Sequence, residues 1–327
     1  MSLKTIPVTI ITGFLGSGKT TLLNQIIKQN RDKKFAIIEN EFGEINIDSQ
    51  LVISTSENIF ELTNGCICCT LNGDLAALLN KLVTGDYEFD HLIIETTGIA
   101  DPSAVAAVFL TDYNIQTVFK LDGVICLVDA ENVLDILGVQ EEASKQIAFS
   151  DFLIFNKVSQ TDVKLRNEIT ATITGINPLA GITFCDFADT DTTPLLNIGA
   201  YQKEKNQYKL GFQSSKQPAM LIKQHIHNDI VSQGYIIGES LDILKIRHYF
   251  TVMLFIQGTY FYRIKGILNI EGLDRKLIIQ SVKGAPVFTD GDAWQENEVR
   301  ETRIVFIGKS LKREILEKGI RQCIYKP

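Results

Sequence analysis

Eight residues, Gly13-Phe14-Leu15-Gly16-Ser17-Gly18-Lys19-Thr20, constrain the possible folds of this chain more than any other feature. A glycine, four residues and then Gly-Lys-Thr forms a phosphate-cradling loop when a strand enters it and a helix leaves it. Both flanks meet that condition. Residues 8–12 form an apolar, β-branched run that predicts a strand, and residues 19–29 carry the pattern of a helix. In such a loop the backbone N–H groups around Gly13, Gly16, Ser17 and Gly18 converge on phosphate oxygens, and the helix start adds its positive end. Lys19 is then expected to reach the outer phosphates and the Thr20 hydroxyl to ligate Mg²⁺. A strand–loop–helix of this kind requires a mostly parallel sheet in which to sit.

The next residues supply that sheet. Strands are expected at 8–12, 35–38, 91–95, 123–129, 151–156 and 182–185, with helices at 19–29, 74–83, 103–110 and 162–174. Strands alternating with helices indicate an α/β fold wrapped on both faces, a P-loop NTPase domain over residues 1–200. A polar, lysine-rich stretch at 201–217 ends at Pro218 and is read as a linker. Residues 218–327 have another texture. Strands are expected at 230–237, 260–270, 277–282 and 303–307, with helices at 241–256 and 311–323, which suggests a smaller α+β, ferredoxin-like domain. The formal net charge of −7 disfavours non-specific nucleic-acid binding. No apolar run approaches the ~20 residues that span a bilayer, and the first residues lack a signal-peptide pattern. The expectation is a cytoplasmic protein with no membrane partner.

Other residues extend the nucleotide site. The run Leu92-Ile93-Ile94-Glu95-Thr96-Thr97-Gly98 ends a buried strand in a carboxylate, which can hold Mg²⁺ or its water. Gly98 can sense the terminal phosphate through its N–H. Between these elements lies Glu39-Asn40-Glu41-Phe42-Gly43-Glu44-Ile45-Asn46-Ile47-Asp48, an acidic stretch where a switch loop belongs. Its carboxylates, Glu39, Glu41 and Asp48 among them, can reach Mg²⁺, position an attacking water or ligate a second metal. A solvated acidic loop is the alternative. Asn156-Lys157 follows a later strand, where a base-reading element is expected. In the guanine-reading pattern an aspartate stands two residues after the lysine. Here that residue is Ser159, with Asp162 close by in sequence. A neutral hydroxyl forgoes charge-assisted bonds worth roughly 1.5–3 kcal/mol each.

Three cysteines in four residues, Cys66, Cys68 and Cys69, follow the turn signal Asn64-Gly65. Their spacing is too tight to close a tetrahedral zinc site from one segment, and no second pair is present. The expected site is open, with soft thiolates favouring Zn²⁺, Cu(I) or Co²⁺. A redox dithiol and simple packing are the alternatives. Cys126 lies in an apolar run and reads as packing, and Cys185 and Cys323 carry no motif. His225 and His227, with Asp229, offer an accessory metal site or ordinary surface residues. His91 and His248 read as structural.

Together these segments resemble the CobW-like GTPases, metallochaperones related to the HypB and UreG nickel-delivery proteins. The matching pieces are the run from Thr12 through Thr20, Thr21, Leu22 and Leu23; Glu39 through Glu44; Asn64 through Cys69; and Glu95 through Gly98. Tyr262 through Leu268 and Arg303 through Gly308 resemble the C-terminal domain of that family. The resemblance implies GTP binding at Gly13 through Thr21, slow Mg²⁺-dependent hydrolysis served by Lys19, Glu95 and Asp48, and a transition metal at the cysteines with Glu39 and Glu41. Zinc is the first expectation, with cobalt or iron behind it, and a client metalloprotein is the implied partner. Nucleotide- or metal-dependent self-association would fit the same pattern. A nucleotide-dependent metal sensor, or an ATP-using assembly factor for a metalloenzyme, is the competing reading, the latter because of Ser159.

Overall fold

The structure, a computed structural model, describes residues 5–41, 52–56, 59–65, 71–84, 88–201 and 230–326, with only the backbone path between 40 and 74. Two compact units emerge: Met1–Thr170 with Ala180–Gln202, and Ala171–Leu179 with Lys203–Pro327. The expected linker at 201–217 falls almost entirely outside the described residues, as do His225, His227 and Asp229.

The N-terminal unit runs β1 (Ile6–Gly13), α1 (Lys19–Gln29), β2 (Phe35–Glu41), β3 (Val52–Ser56), β4 (Ile59–Gly65), α2 (Leu71–Thr84), β5 (His91–Glu95), α3 (Pro102–Thr111), α4 (Tyr113–Val118), β6 (Phe119–Asp129), α5 (Val133–Val139), α6 (Glu141–Phe149), β7 (Phe152–Asn156), α7 (Val163–Ile176) and β8 (Gly181–Phe184). Its described strands form one sheet in the order β3-β4-β2-β5-β1-β6-β7-β8. Every pairing is parallel except β3 with β4. Ile11, Ile37, Ile93, Ile125 and Ile154 from five neighbouring strands pack with Leu22, Leu23 and Ile26 of α1. Burial on both faces is why these strands read as continuous apolar runs. Ligands of such sheets bind beyond the carboxyl ends of the strands.

Sequence patterning missed β3, β4, α4, α5 and α6. The β3–β4 hairpin carries Ser54, Thr55, Glu61 and Thr63 at the sheet margin, so it lacks an apolar run. Helix α6 spans only nine residues, and its buried positions include the polar Ser144 and Gln146, so its inward face does not read as apolar.

The C-terminal unit contains β9 (Ile230–Ile237), α8 (Ile243–Gln257), β10 (Phe261–Leu268), β11 (Arg275–Val282), β12 (Ala285–Ala293), β13 (Thr302–Lys309) and α9 (Arg313–Arg321). Its sheet is antiparallel throughout, in the order β12-β11-β10-β13-β9. The α+β expectation holds. The element order β-α-β-β-β-β-α differs from the ferredoxin-like order, because β12 takes the place of a second crossover helix. Pro286, Thr289, Asp290, Gly291 and Asp292 disguise β12 as a loop, a composition tolerated at a sheet edge. Phe250, Phe306, Ile246, Ile264 and Ile304 anchor the core. Helix α8 starts at Asp242, whose carboxylate accepts bonds from the Leu244 and Lys245 N–H groups at 2.9 and 3.1 Å. Among the described residues no helix is long and apolar enough to cross a membrane.

Candidate functional site

The loop between β1 and α1 bends through three glycines with φ of +141° at Gly13, +72° at Gly16 and +105° at Gly18. At Gly13 and Gly18 the requirement is also spatial. A Cβ on Gly13 would strike the Leu127 carbonyl, and one on Gly18 would strike the Asn156 side-chain amide. Lys19, 9 % exposed, donates to the Gly13 and Phe14 carbonyls at 3.0 and 3.2 Å. Burial lowers its pKa, while the nearby Glu95 carboxylate pulls it back up. Its charge is therefore held poorly solvated at the mouth of the loop, where an anion would be strongly attracted.

Strand β5 brings Glu95 to the same place. The Thr20 hydroxyl donates to Glu95 Oε1 at 2.9 Å, so the two expected Mg²⁺ ligands meet although 75 positions separate them. Oxygen donors of this kind suit a hard cation. The buried hydroxyls of Ser17 and Thr97 have no hydrogen-bond partner among the described residues, which gives the cradle polar lining for a ligand. Donor set, lining and glycine geometry fit a Mg²⁺–nucleotide. Thr21 is exposed on the first turn of α1. Gly98 lies against Leu15, and a Cβ there would meet the Leu15 backbone nitrogen at 2.7 Å. Gln146 of α6 donates to the Gly98 and Ala100 carbonyls, each at 3.1 Å, and so holds this loop in place. Sequence reasoning missed Gln146, a polar residue buried on a short helix that no motif marks.

On the far side of the loop, Asn156 at the end of β7 donates to the Ser17 carbonyl at 2.9 Å. Its Oδ1 accepts the Ala188 N–H at 3.0 Å. Lys157, in the left-handed conformation at φ 63°, pairs with Asp129 at 2.7 Å. Asp129 feels opposing effects of burial and of bonds from Lys157, Asn132 and the Glu131 N–H, and its carboxyl ends up below the usual range. Asp162, the sequence neighbour of Ser159, accepts the Leu165 N–H at 2.7 Å at the start of α7 and does not meet Ser159. The carboxylate at Ser159 is instead Asp186, whose Oδ1 accepts the Ser159 N–H at 3.0 Å and its hydroxyl at 2.9 Å.

The metal half of the expected site lies largely outside the described residues: the side chain of Glu41, Asp48, and Cys66, Cys68 and Cys69. Among the described residues no group of three or more His, Cys, Asp or Glu is placed to hold a metal. The backbone still defines where the cysteine segment departs. Ile11 pairs with Glu95, Glu95 with Glu39, Glu39 with Thr63, and Glu41 with Gly65. Strand β4 thus ends level with β2, β5 and β1, one residue before Cys66. It stands three strands from β1, about 14 Å at about 4.8 Å per strand. The described cysteines are packing groups: burial pushes the Cys126 thiol up to about 12 and those of Cys185 and Cys323 up to about 11. His91 is also structural, bonded to the Thr9 hydroxyl at 2.8 Å.

Residues 7–184 match the CobW/HypB/UreG nucleotide-binding domain, and residues 235–324 match the cobalamin synthesis protein cobW C-terminal domain. The chain is 33 % identical over 314 residues to the zinc chaperone YjiA of Escherichia coli strain K12, covering 94 % of this chain and 96 % of that one. It is 30 % identical to the zinc-regulated GTPase metalloprotein activator 1 of Saccharomyces cerevisiae, covering 98 % and 84 % respectively. The crystal structure of Zn(II)-bound YjiA GTPase superposes with a TM-score of 0.80 over 99 % of this chain and 100 % of that one, at 29 % identity.

Proposed function

The chain belongs to the CobW/HypB/UreG family, and from that premise we propose that it is a GTP-binding and GTP-hydrolysing metallochaperone that delivers a transition metal, zinc first, to a client metalloprotein in the cytoplasm. Its relatives are named as zinc chaperones and zinc-regulated GTPases, which supports zinc over cobalt or iron. The observation that carries the reading is the common strand edge. Parallel register brings the phosphate loop, Glu95, Glu39 and the residue preceding Cys66 to one end of one sheet.

The residues divide the work by position. Gly13, Gly16, Ser17 and Gly18 present N–H groups to the phosphates, with Thr21 one residue further into α1. Lys19 shifts from the loop carbonyls to phosphate oxygens, so its interaction is stronger with charge developing on the terminal phosphate. Thr20 and Glu95 would hold Mg²⁺, which when bound neutralises phosphate charge. Gly98 donates its N–H toward the terminal phosphate, and Gln146 keeps that loop in register. Asp48 belongs to the segment that would orient water. Asn156 and Lys157 shape the base end. Cys66, Cys68 and Cys69 hold the cargo metal, with Glu39 and Glu41 completing the site in one nucleotide state. Residues 218–327 form the client-facing domain.

Phosphate release from GTP in the presence of Mg²⁺ tests the enzymatic half. The native chain is expected to turn over slowly, and Lys19→Ala to be at least about 100-fold slower. A native rate no higher than that of Lys19→Ala would remove hydrolysis from the account.

A further inference from the structure

We propose that Asp186 is the carboxylate that reads the nucleotide base, in exchange for the aspartate that the guanine-reading pattern places at the position of Ser159. The inference rests on the guanine-nucleotide reading above and deepens it. The loops leaving β7 and β8 are stitched together at every step. The Cys185 N–H donates to the Phe155 carbonyl at 2.8 Å, and the Val158 N–H to the Cys185 carbonyl at 3.4 Å. Asp186 accepts two bonds from Ser159, and the Ala188 N–H donates to Asn156. Asn156 in turn holds the Ser17 carbonyl of the phosphate loop. Asp186 is therefore tied, through two hydrogen-bonded residues, to the loop that would carry the phosphates of the same nucleotide.

Positions 159 and 186 face each other. Exchanging serine and aspartate between them keeps one carboxylate and one hydroxyl in the same small space. The hydroxyl of Ser159 and its N–H engage only Oδ1 of Asp186. A carboxylate offers about four lone-pair sites, so two remain for the ring N–H and exocyclic amino group on the Watson–Crick edge of guanine. Adenine presents an acceptor at the ring nitrogen and would meet the same carboxylate with repulsion. Phe187, the next residue, is 81 % exposed and held at φ 54°, a conformation rare for a bulky side chain. Its exposed ring is of the kind on which a base stacks.

Competition binding by the full-length chain with Mg²⁺ tests this, using GTP, ATP, inosine triphosphate and xanthosine triphosphate. Inosine lacks the exocyclic amino group, and xanthine carries a carbonyl in its place. The native chain is expected to bind GTP at least about tenfold more tightly than inosine triphosphate or ATP. Asp186→Asn is expected to lose about 10–100-fold in GTP affinity and to gain xanthosine triphosphate, because its amide donates to the new carbonyl. That gain separates base reading from a merely disturbed loop, which would weaken all four nucleotides. Asp186→Asn, Ser159→Asp is expected to recover GTP preference. If the native chain prefers GTP but Asp186→Asn keeps that preference, or loses affinity without gaining xanthosine triphosphate, the assignment of Asp186 is wrong. If the native chain binds GTP, ATP and inosine triphosphate alike, the guanine reading itself fails and the assignment with it.

Discussion

Thr20 and Glu95 meet across a 2.9 Å hydrogen bond, and this contact marks the cation end of the proposed nucleotide site. Glu95→Gln keeps the shape and the bond from Thr20 but removes the charge. Steady-state hydrolysis should fall about 100-fold, with the remaining activity needing more Mg²⁺, while GTP affinity measured without Mg²⁺ should change little. His91 makes a different prediction. Burial first, and the Lys33 charge second, lower its pKa from 6.5 to about 3. The unfolded chain therefore takes up the proton between pH 6.5 and 3 while the folded chain does not. Stability is full above pH 6.5 and falls with pH through that window, by up to about 1.4 kcal/mol per pH unit. Circular-dichroism melts from pH 7 to 4 should show this loss, with a shallower slope in His91→Asn. The glycine loop was legible because its determinants lie within eight consecutive residues. Asp186 was not, because 27 positions separate it from Ser159 and only the β7–β8 pairing brings them together.

Elements that announced themselves were those buried on both faces, such as β1, β5 and β6, which carry short apolar runs including Leu92–Ile94 and Val124–Val128. Those that did not were marginal or short. Strand β12 carries proline, glycine and two aspartates at a sheet edge, and α6 spans nine residues with the polar Ser144 and Gln146 among its buried positions. Helix α6 matters nonetheless, because Gln146 clamps the loop after β5 from 48 positions away. In the C-terminal unit, Phe306 on β13 sits among Tyr235, Phe250 and Phe261 at ring separations of 5.6, 6.1 and 5.9 Å. Phe306→Ala should cost about 3–5 kcal/mol. Trp294, the single tryptophan, lies on the segment following β12, so its fluorescence during urea unfolding reports on this unit. A midpoint unchanged by the substitution would show that the aromatic cluster does not hold the sheet together.

Across the whole molecule, the strand leading to Cys66 stands about 14 Å from the strand leading to the phosphate loop. The coupling proposed above would run through a segment that both sites bias, and the acidic stretch between β2 and β3, which includes Asp48, is the candidate segment. Such coupling is reciprocal: a metal that binds better with GTP must tighten GTP in turn, typically by about 5–150-fold. Sequence motifs marked the phosphate loop and the cysteine run. The register that aligns β1, β5, β2 and β4 was hidden, because parallel pairing leaves no local mark in sequence. The most direct measurement is zinc affinity of the reduced, metal-free chain with a non-hydrolysable GTP analogue and Mg²⁺, with GDP and Mg²⁺, and without nucleotide. Cys66→Ser, Cys68→Ser and Cys69→Ser are titrated alongside. The account predicts affinities differing at least about fivefold between the GTP-analogue and GDP states, with the difference lost in the cysteine variants. Equal affinity in all three nucleotide states, or a difference that survives every cysteine substitution, would contradict it.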